Sequence, residues 1–207
     1  MAKDLAFFGA FNPPTAAHLD LALFALERTG AERAVFVPSK AEYILDQQRK
    51  DFAYSDAERL GMLTRAAETR PWMHVTDWEL RQDIQPRSYV TLCRLREMGY
   101  DPALLVGSDK LPELERWVRA EALFTEFGVV CLERGGDRCE DIIAASAFLT
   151  KMRDRIRVIA TPAGSRQISS TRVRQCVAGI RALEKELAAL VPPDILPLVI
   201  GREADRP

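Results

Sequence analysis

No apolar run in this 207-residue chain approaches the ~20 residues that span a bilayer, so no membrane-crossing helix is expected. The four cysteines, Cys93, Cys131, Cys139 and Cys176, include no pair at the spacing of zinc knuckles or redox pairs, and they read as reduced, mostly buried thiols. Charge of one sign is also missing: the formal net charge is -1. That leaves no polyelectrolyte footprint and argues against a general nucleic-acid binder, so any phosphate must be met by basic residues gathered locally. No carboxylate cluster with metal-ligand spacing, internal repeat, low-complexity stretch or Gly/Ser linker occurs. The opening MAKDLAFFGAFNPP ends its short apolar run in Asn12-Pro13-Pro14 rather than at a small-residue cleavage site. It reads as a first strand rather than a signal peptide, and a cytoplasmic location is expected.

What is present is an ordinary globular composition, 47% hydrophobic and 29% charged, expected to form one domain over residues 1–207. Short β-rich runs alternate with stretches of helical period, the pattern of βα units on a parallel sheet. Strands are expected at Leu5–Gly9, Ala34–Pro38, Met73–Thr76, Ala103–Gly107, Gly128–Leu132 and Arg157–Ala160. The clearest helices are expected at Ala16–Arg28, Asp56–Thr69, Tyr89–Met98, Asp141–Asp154 and Thr171–Ala178. Ser55 with Glu58 makes a capping box for the second. Ser39–Ala53 reads as the longest irregular loop and carries Lys40, Arg49 and Lys50. Helical pattern returns over Arg181–Leu190 and Asp194–Ile200, around the stop at Pro192-Pro193.

Two segments could bind phosphate. GAFNPPTAAH, Gly9–His18, lies where the first strand hands over to the first helix, and open α/β sheets bind ligands outside the carboxyl ends of their strands. Gly9 permits close backbone approach, Pro13-Pro14 stiffens the turn, and Thr15 is a candidate N-cap that puts His18 in the first helical turn. Such a helix start attracts anions, and a histidine there can donate to a phosphate oxygen. The alternative is a plain Thr-capped helix with a satisfied surface histidine. QISSTRVR, Gln167–Arg174, follows the last strand. Ser169 or Ser170 can cap its helix, and Arg172 and Arg174 oppose the macrodipole unless an anion sits there. An ordinary Ser-capped helix with solvated arginines is the alternative.

Together the two segments resemble the T-x-G-H (or H-x-G-H) and I-S-S-T-x-R signatures of the nucleotidyltransferase superfamily, and FNPPT resembles the bacterial-type nicotinate or nicotinamide mononucleotide adenylyltransferases. The likeness runs on through RKDFAYSDAERLGML, VTDWELR, RSYVTL, LLVGSDKLPELERW, LERGG and VPPDIL. It implies an α/β, Rossmann-like doubly wound parallel sheet with a small C-terminal helical segment. It implies ATP and a pyridine mononucleotide as small-molecule substrates, with Mg²⁺ held mainly by the ATP phosphates and no protein metal site. Whether the chain forms a homo-oligomer is left open. By resemblance His18, Thr15 and Arg172 are catalytic, with His18 on the reacting α-phosphate. Gly9, Ala10, Phe11, Ile168, Ser169, Ser170, Thr171 and Arg174 would hold the phosphates of ATP, and Gly107 and Asp109 its ribose. Asn12, Lys50, Tyr89, Thr91, Trp117 and Arg134 would face the acceptor. Trp117, which on its own reads as a core anchor, matches the aromatic residue that stacks on the pyridine ring.

Three departures matter. Ala17 replaces the motif glycine, so reduced activity is one expectation. The 39–53 loop lacks the usual Pro-Pro-His-Lys string, leaving Arg49 or Lys50 to supply its positive charge. Ser88-Tyr89-Val90-Thr91-Leu92 is more compact than S-Y-T-x-x-T-L, so the choice between acid and amide acceptor does not carry over. The competing readings are another acceptor or nucleotide on the same fold, such as phosphopantetheine or CTP, and a non-catalytic nucleotide-binding paralogue.

Overall fold

The computed structural model describes residues 2–133, 138–161 and 184–200. Six short apolar runs form β1 (Asp4–Gly9), β2 (Arg33–Pro38), β3 (Met73–Val75), β4 (Pro102–Gly107), β5 (Val129–Leu132) and β6 (Ile156–Ile159), each within a residue of its expected place. They make one sheet in the order β3-β2-β1-β4-β5-β6. Phe7 lies opposite Leu105, Val106 opposite Cys131 and Cys131 opposite Val158, in parallel pairs. Ala34, Val35, Phe36 and Val37 are all fully buried, so β2 is covered on both faces, which explains why these strands read as continuous apolar runs rather than alternating ones. The strand order turns back at β1. In a sheet wound both ways, ligands bind beyond the carboxyl ends at that reversal, where Gly9 leaves β1.

The helices α1 (Ala16–Thr29), α3 (Asp56–Ala67) and α4 (Ser88–Glu97) stand where expected. The α3 capping box is formed: Ser55 Oγ accepts from the Glu58 amide, and the Ser55 amide donates to Glu58 Oε2 at 2.8 Å. Two expectations are corrected. The irregular 39–53 loop contains a short helix, α2 (Ala41–Asp46), capped from far along the chain. Asp56 Oδ1 accepts from the Ala41 amide at 2.7 Å, and Gln85 Oε1 accepts from that of Lys40 at 2.8 Å. The helix expected over 141–154 is broken into α6 (Cys139–Ala144), α7 (Ala147–Lys151) and a 3-10 turn, Arg153–Arg155. The break is at Ser146, whose hydroxyl accepts from the Leu149 amide and donates to Glu115 at 2.6 Å, which favours a new N-cap over helix interior. Between β4 and β5 the gap is filled by a 3-10 segment, Ser108–Arg116, and α5 (Ala120–Glu126). Near the C-terminus, helices occupy Glu184–Leu190 and Leu196–Ile200. The helix expected at Thr171–Ala178 lies outside the described residues. Among those described, no helix is long and apolar enough to cross a membrane.

Packing divides the chain into two compact units. The first takes Met1–Phe8, Ala22–Val35 and Pro86–Ser165. At its base Asp4 is fully buried and accepts from Arg33 Nε at 2.5 Å, Arg33 Nη2 at 2.8 Å and the Asp101 amide at 2.7 Å. Arg33 is 34% exposed and can regain water, so Asp4→Ala is expected to cost about 3 kcal/mol, at the low end for breaking a buried pair. Urea unfolding measures this; a loss below about 1 kcal/mol, the worth of a surface pair, would show the pair to be dispensable. The Cys131 and Cys139 sulfurs lie 3.4 Å apart as free thiols. The bond to Cys139, then burial, pushes the Cys131 thiol up, which keeps it protonated and unreactive. Cys93 is free and half-buried, and Cys176 lies outside the described residues.

Also in this unit, the buried Tyr89 donates its phenol proton to Glu126 at 2.8 Å, with the Arg119 guanidinium 4.5 Å over its ring. Chiefly because of the bond to Glu126, Tyr89 is pushed up to about 12. An unfolded tyrosine titrates near 10, so the stabilisation from this bond is complete below about pH 10 and is lost as pH rises toward 12. Ultraviolet titration should show a late tyrosine ionisation that vanishes in Tyr89→Phe. Titration of all four near pH 10 would contradict it.

The second unit takes Gly9–Leu21, Phe36–Gln85 and the chain from Arg166 on. Arg70, just past α3, binds Asp194 at 2.5 Å and the Ala66 carbonyl at 2.6 Å, tying the C-terminal helical segment to the end of α3.

Candidate active site

Within the second unit, the backbone leaving β1 turns sharply at Phe11, whose φ of 44° is uncommon for a residue with a side chain. The turn carries the Phe11 ring inward to 1% exposure, tilted against Phe36 at 5.3 Å and edge-on to His18 at 5.2 Å. The ring of Phe11, expected among the ATP-holding residues, is therefore enclosed by the fold. A Cβ on Gly9 would lie 3.0 Å from Phe11 Cζ. Glycine is needed there to admit this ring, a constraint that the reading of Gly9 as a point of close phosphate approach did not include. Asn12 is 2% exposed, and its amide is committed to the chain beyond α2. Nδ2 donates to the Phe52 carbonyl at 2.8 Å, and Oδ1 accepts from the Tyr54 amide at 2.8 Å.

Thr15 caps α1 as expected, its Oγ1 accepting from the His18 amide at 3.4 Å. The bond is returned: the Thr15 amide donates to His18 Nδ1 at 3.0 Å, and Thr15 Oγ1 lies 2.8 Å from the same nitrogen. This is a capping box with histidine in the place usually held by glutamate. It also decides the tautomer. A backbone N–H can only donate, so Nδ1 carries no proton and the ring's proton sits on Nε2. Thr15 holds Nδ1, and the Phe11 ring packs against the imidazole at 5.2 Å. His18 is half-buried at the helix start, where the macrodipole favours an anion. Ala17 is 6% exposed, so most of its methyl is turned into the fold.

Sequence reasoning missed Arg59. It lies on α3 with a fully buried side chain. Its fork donates to the Ala10 carbonyl at 2.8 Å, the Tyr54 carbonyl at 3.1 Å and Asp56 at 2.5 Å. Burial lowers its pKa and Asp56 opposes that shift, so the group remains a cation. Lys50, expected near the acceptor, is exposed at the end of the α2 loop, its amide donating to the Ile44 carbonyl at 3.2 Å. Lys40 is instead tied down, its Nζ donating to the Gln82 carbonyl at 2.7 Å.

In the first unit Gly107 ends β4 and caps the 3-10 segment, with Asp109 exposed in its first turn. Trp117 follows that segment and is half-buried, less enclosed than a core anchor. Thr91 is fully buried, and the Tyr89 hydroxyl is engaged by Glu126. Arg134, Ile168, Ser169, Ser170, Thr171, Arg172 and Arg174 lie outside the described residues, and with them the second expected phosphate-binding helix start.

An open parallel sheet wound both ways from β1, with a capped helix start carrying an oriented Nε2 donor at its carboxyl edge, is the architecture of a nucleotidyltransferase. Residues 6–176 match the cytidylyltransferase-like family, and the chain belongs to it. It is 32% identical to a protein of Chlorobium luteolum named "Probable nicotinate-nucleotide adenylyltransferase", over 94% of each chain. It is 30% identical to the nicotinamide/nicotinic acid mononucleotide adenylyltransferase of Oryza sativa subsp. japonica, over 82% of this chain and 74% of that one. Its fold matches the Plasmodium falciparum nicotinic acid mononucleotide adenylyltransferase complexed with APC, with a TM-score of 0.74 at 16% identity, over 98% of this chain and 96% of that one.

Proposed function

We propose that this chain is a cytoplasmic adenylyltransferase that joins the AMP part of ATP to nicotinate mononucleotide or nicotinamide mononucleotide, giving the NAD-type dinucleotide and pyrophosphate. The observation that carries the proposal is the reciprocal Thr15–His18 cap, which sets the imidazole at the helix start beyond β1 with its proton on Nε2. The acceptor's 5′-phosphate would attack the ATP α-phosphorus in line, forming one P–O bond as the bond to pyrophosphate breaks. A phosphate monoester needs no protein nucleophile, so the protein's contribution is alignment and charge stabilisation. His18 Nε2–H would donate to the α-phosphate oxygens as charge builds on them. The backbone from Gly9 to Phe11 and the segment Ile168–Arg174, with Arg172, would hold the remaining phosphates. Gly107 and Asp109 would take the ribose, and Trp117 the pyridine ring.

Among the described residues no group of three His, Cys, Asp or Glu could hold a metal ion. A divalent cation, Mg²⁺ in this proposal, would be bound chiefly through phosphate oxygens and water. Bound in that way it neutralises charge on the leaving pyrophosphate. The reading as a non-catalytic paralogue rested on Ala17, and that methyl is largely turned into the fold. ATP labelled in its α-phosphate tests the proposal: the label should appear in the dinucleotide, and label found only in free AMP would point to hydrolysis instead.

A further inference from the structure

The Ala10 carbonyl is gripped by a guanidinium that has no exposed surface, and this has a geometric consequence for the segment proposed to hold ATP phosphate. A peptide unit is planar and trans, so its C=O and N–H point to opposite sides. With the Ala10 carbonyl fixed on Arg59, the Phe11 amide is directed away from Arg59. Phe11 also sits at a φ of 44°, a conformation that costs of order 1 kcal/mol and persists only where the surroundings enforce it. The same guanidinium binds the Tyr54 carbonyl and Asp56, Asp56 accepts from the Ala41 amide, and Asn12 bonds Phe52 and Tyr54. The Gly9–Asn12 turn is thus held to the 52–56 segment by the Asn12 amide and by one buried cation, which through Asp56 also reaches the start of α2.

We infer that Arg59 is a positioning residue for ATP: it holds the Ala10–Phe11 peptide in the orientation that presents the turn's amide to phosphate, and so keeps Phe11 against the His18 ring. The inference rests on the reading of this turn as the ATP phosphate segment. Lysine cannot reproduce it, because one ammonium on a flexible stem cannot meet a carbonyl on either side and a carboxylate at once.

The test compares Arg59→Lys, Arg59→Ala and a packing control, Leu63→Ala, which removes a fully buried side chain one turn along α3. Mg-ATP affinity is measured by calorimetry and turnover by pyrophosphate release, with circular dichroism as the check on folding. Both Arg59 variants should bind ATP at least about tenfold more weakly, as misalignment of a binding segment requires. Methylguanidinium should restore part of the affinity to Arg59→Ala and none to the control. Leu63→Ala should melt earlier yet bind ATP within about twofold of the unaltered protein. Should Arg59→Ala fail to fold, Arg59→Lys, which keeps the charge, decides the matter. ATP affinity of folded Arg59→Lys within about twofold of the unaltered protein would overturn the inference, as would an equal loss in Leu63→Ala. If the unaltered protein binds no ATP, the functional reading falls and takes this inference with it. If it binds and turns over ATP while the Arg59 variants match it, only the inference falls.

Discussion

His18→Ala is expected to lower turnover by roughly 10² to 10³, the effect of removing one preorganised donor from a site of developing charge. The argument is geometric. The Thr15 amide occupies Nδ1, so the ring's N–H is on Nε2, and the Phe11 ring packs against the imidazole. The fold should survive, because α1 keeps its Thr15 cap and loses only the returning half of the box, about 1 kcal/mol. Steady-state pyrophosphate release together with a thermal melt separates the two effects. Turnover near that of the unaltered protein would remove His18 from the reaction, whereas a collapsed melting curve would show that its capping role dominates.

The second large effect is expected at a residue that touches no reacting atom. In Gly9→Ala the new methyl lies 3.0 Å from Phe11 Cζ and 3.2 Å from both Cε atoms, tighter than ordinary van der Waals contact. A flexible surface side chain would move aside. The Phe11 ring cannot do so easily, being 1% exposed and held between Phe36 and His18. The displacement must pass to the His18 imidazole or to the strained Phe11 backbone, and misplacement of about 1 Å at a reacting group costs on the order of 10² in rate. Turnover should therefore fall by roughly ten- to a hundredfold, with a smaller change in ATP affinity than in kcat. A Gly9→Ala protein with unchanged kcat would mean that the Phe11 ring yields without moving His18.

The six strands were legible because each is a short apolar run closed by turn residues, and the Thr15 cap and the Ser55–Glu58 box because their partners lie three residues apart. Local chemistry of that kind is written in the sequence. Arg59 was not legible, because its partners include a carbonyl 49 residues away, and an arginine in an amphipathic helix ordinarily faces water. The same reason hides α2, whose cap is Asp56, and the break at Ser146, where Glu115 supplies a distant partner. Phe11 illustrates a subtler limit. Its place in the motif was visible, but only the backbone turn at φ 44° decides that the ring goes inward and meets His18 in a T-shaped contact.

The central claim is adenylyl transfer to a pyridine mononucleotide, and it is tested most directly by supplying the protein with ATP and Mg²⁺ and adding nicotinate mononucleotide or, separately, nicotinamide mononucleotide. Pyrophosphate release and the mass of the product are then read together. The account predicts one dinucleotide and one pyrophosphate per ATP consumed with at least one of the two acceptors, and the better acceptor settles the preference that the compact Ser88–Leu92 segment leaves open. Bound ATP with no dinucleotide from either acceptor would contradict it.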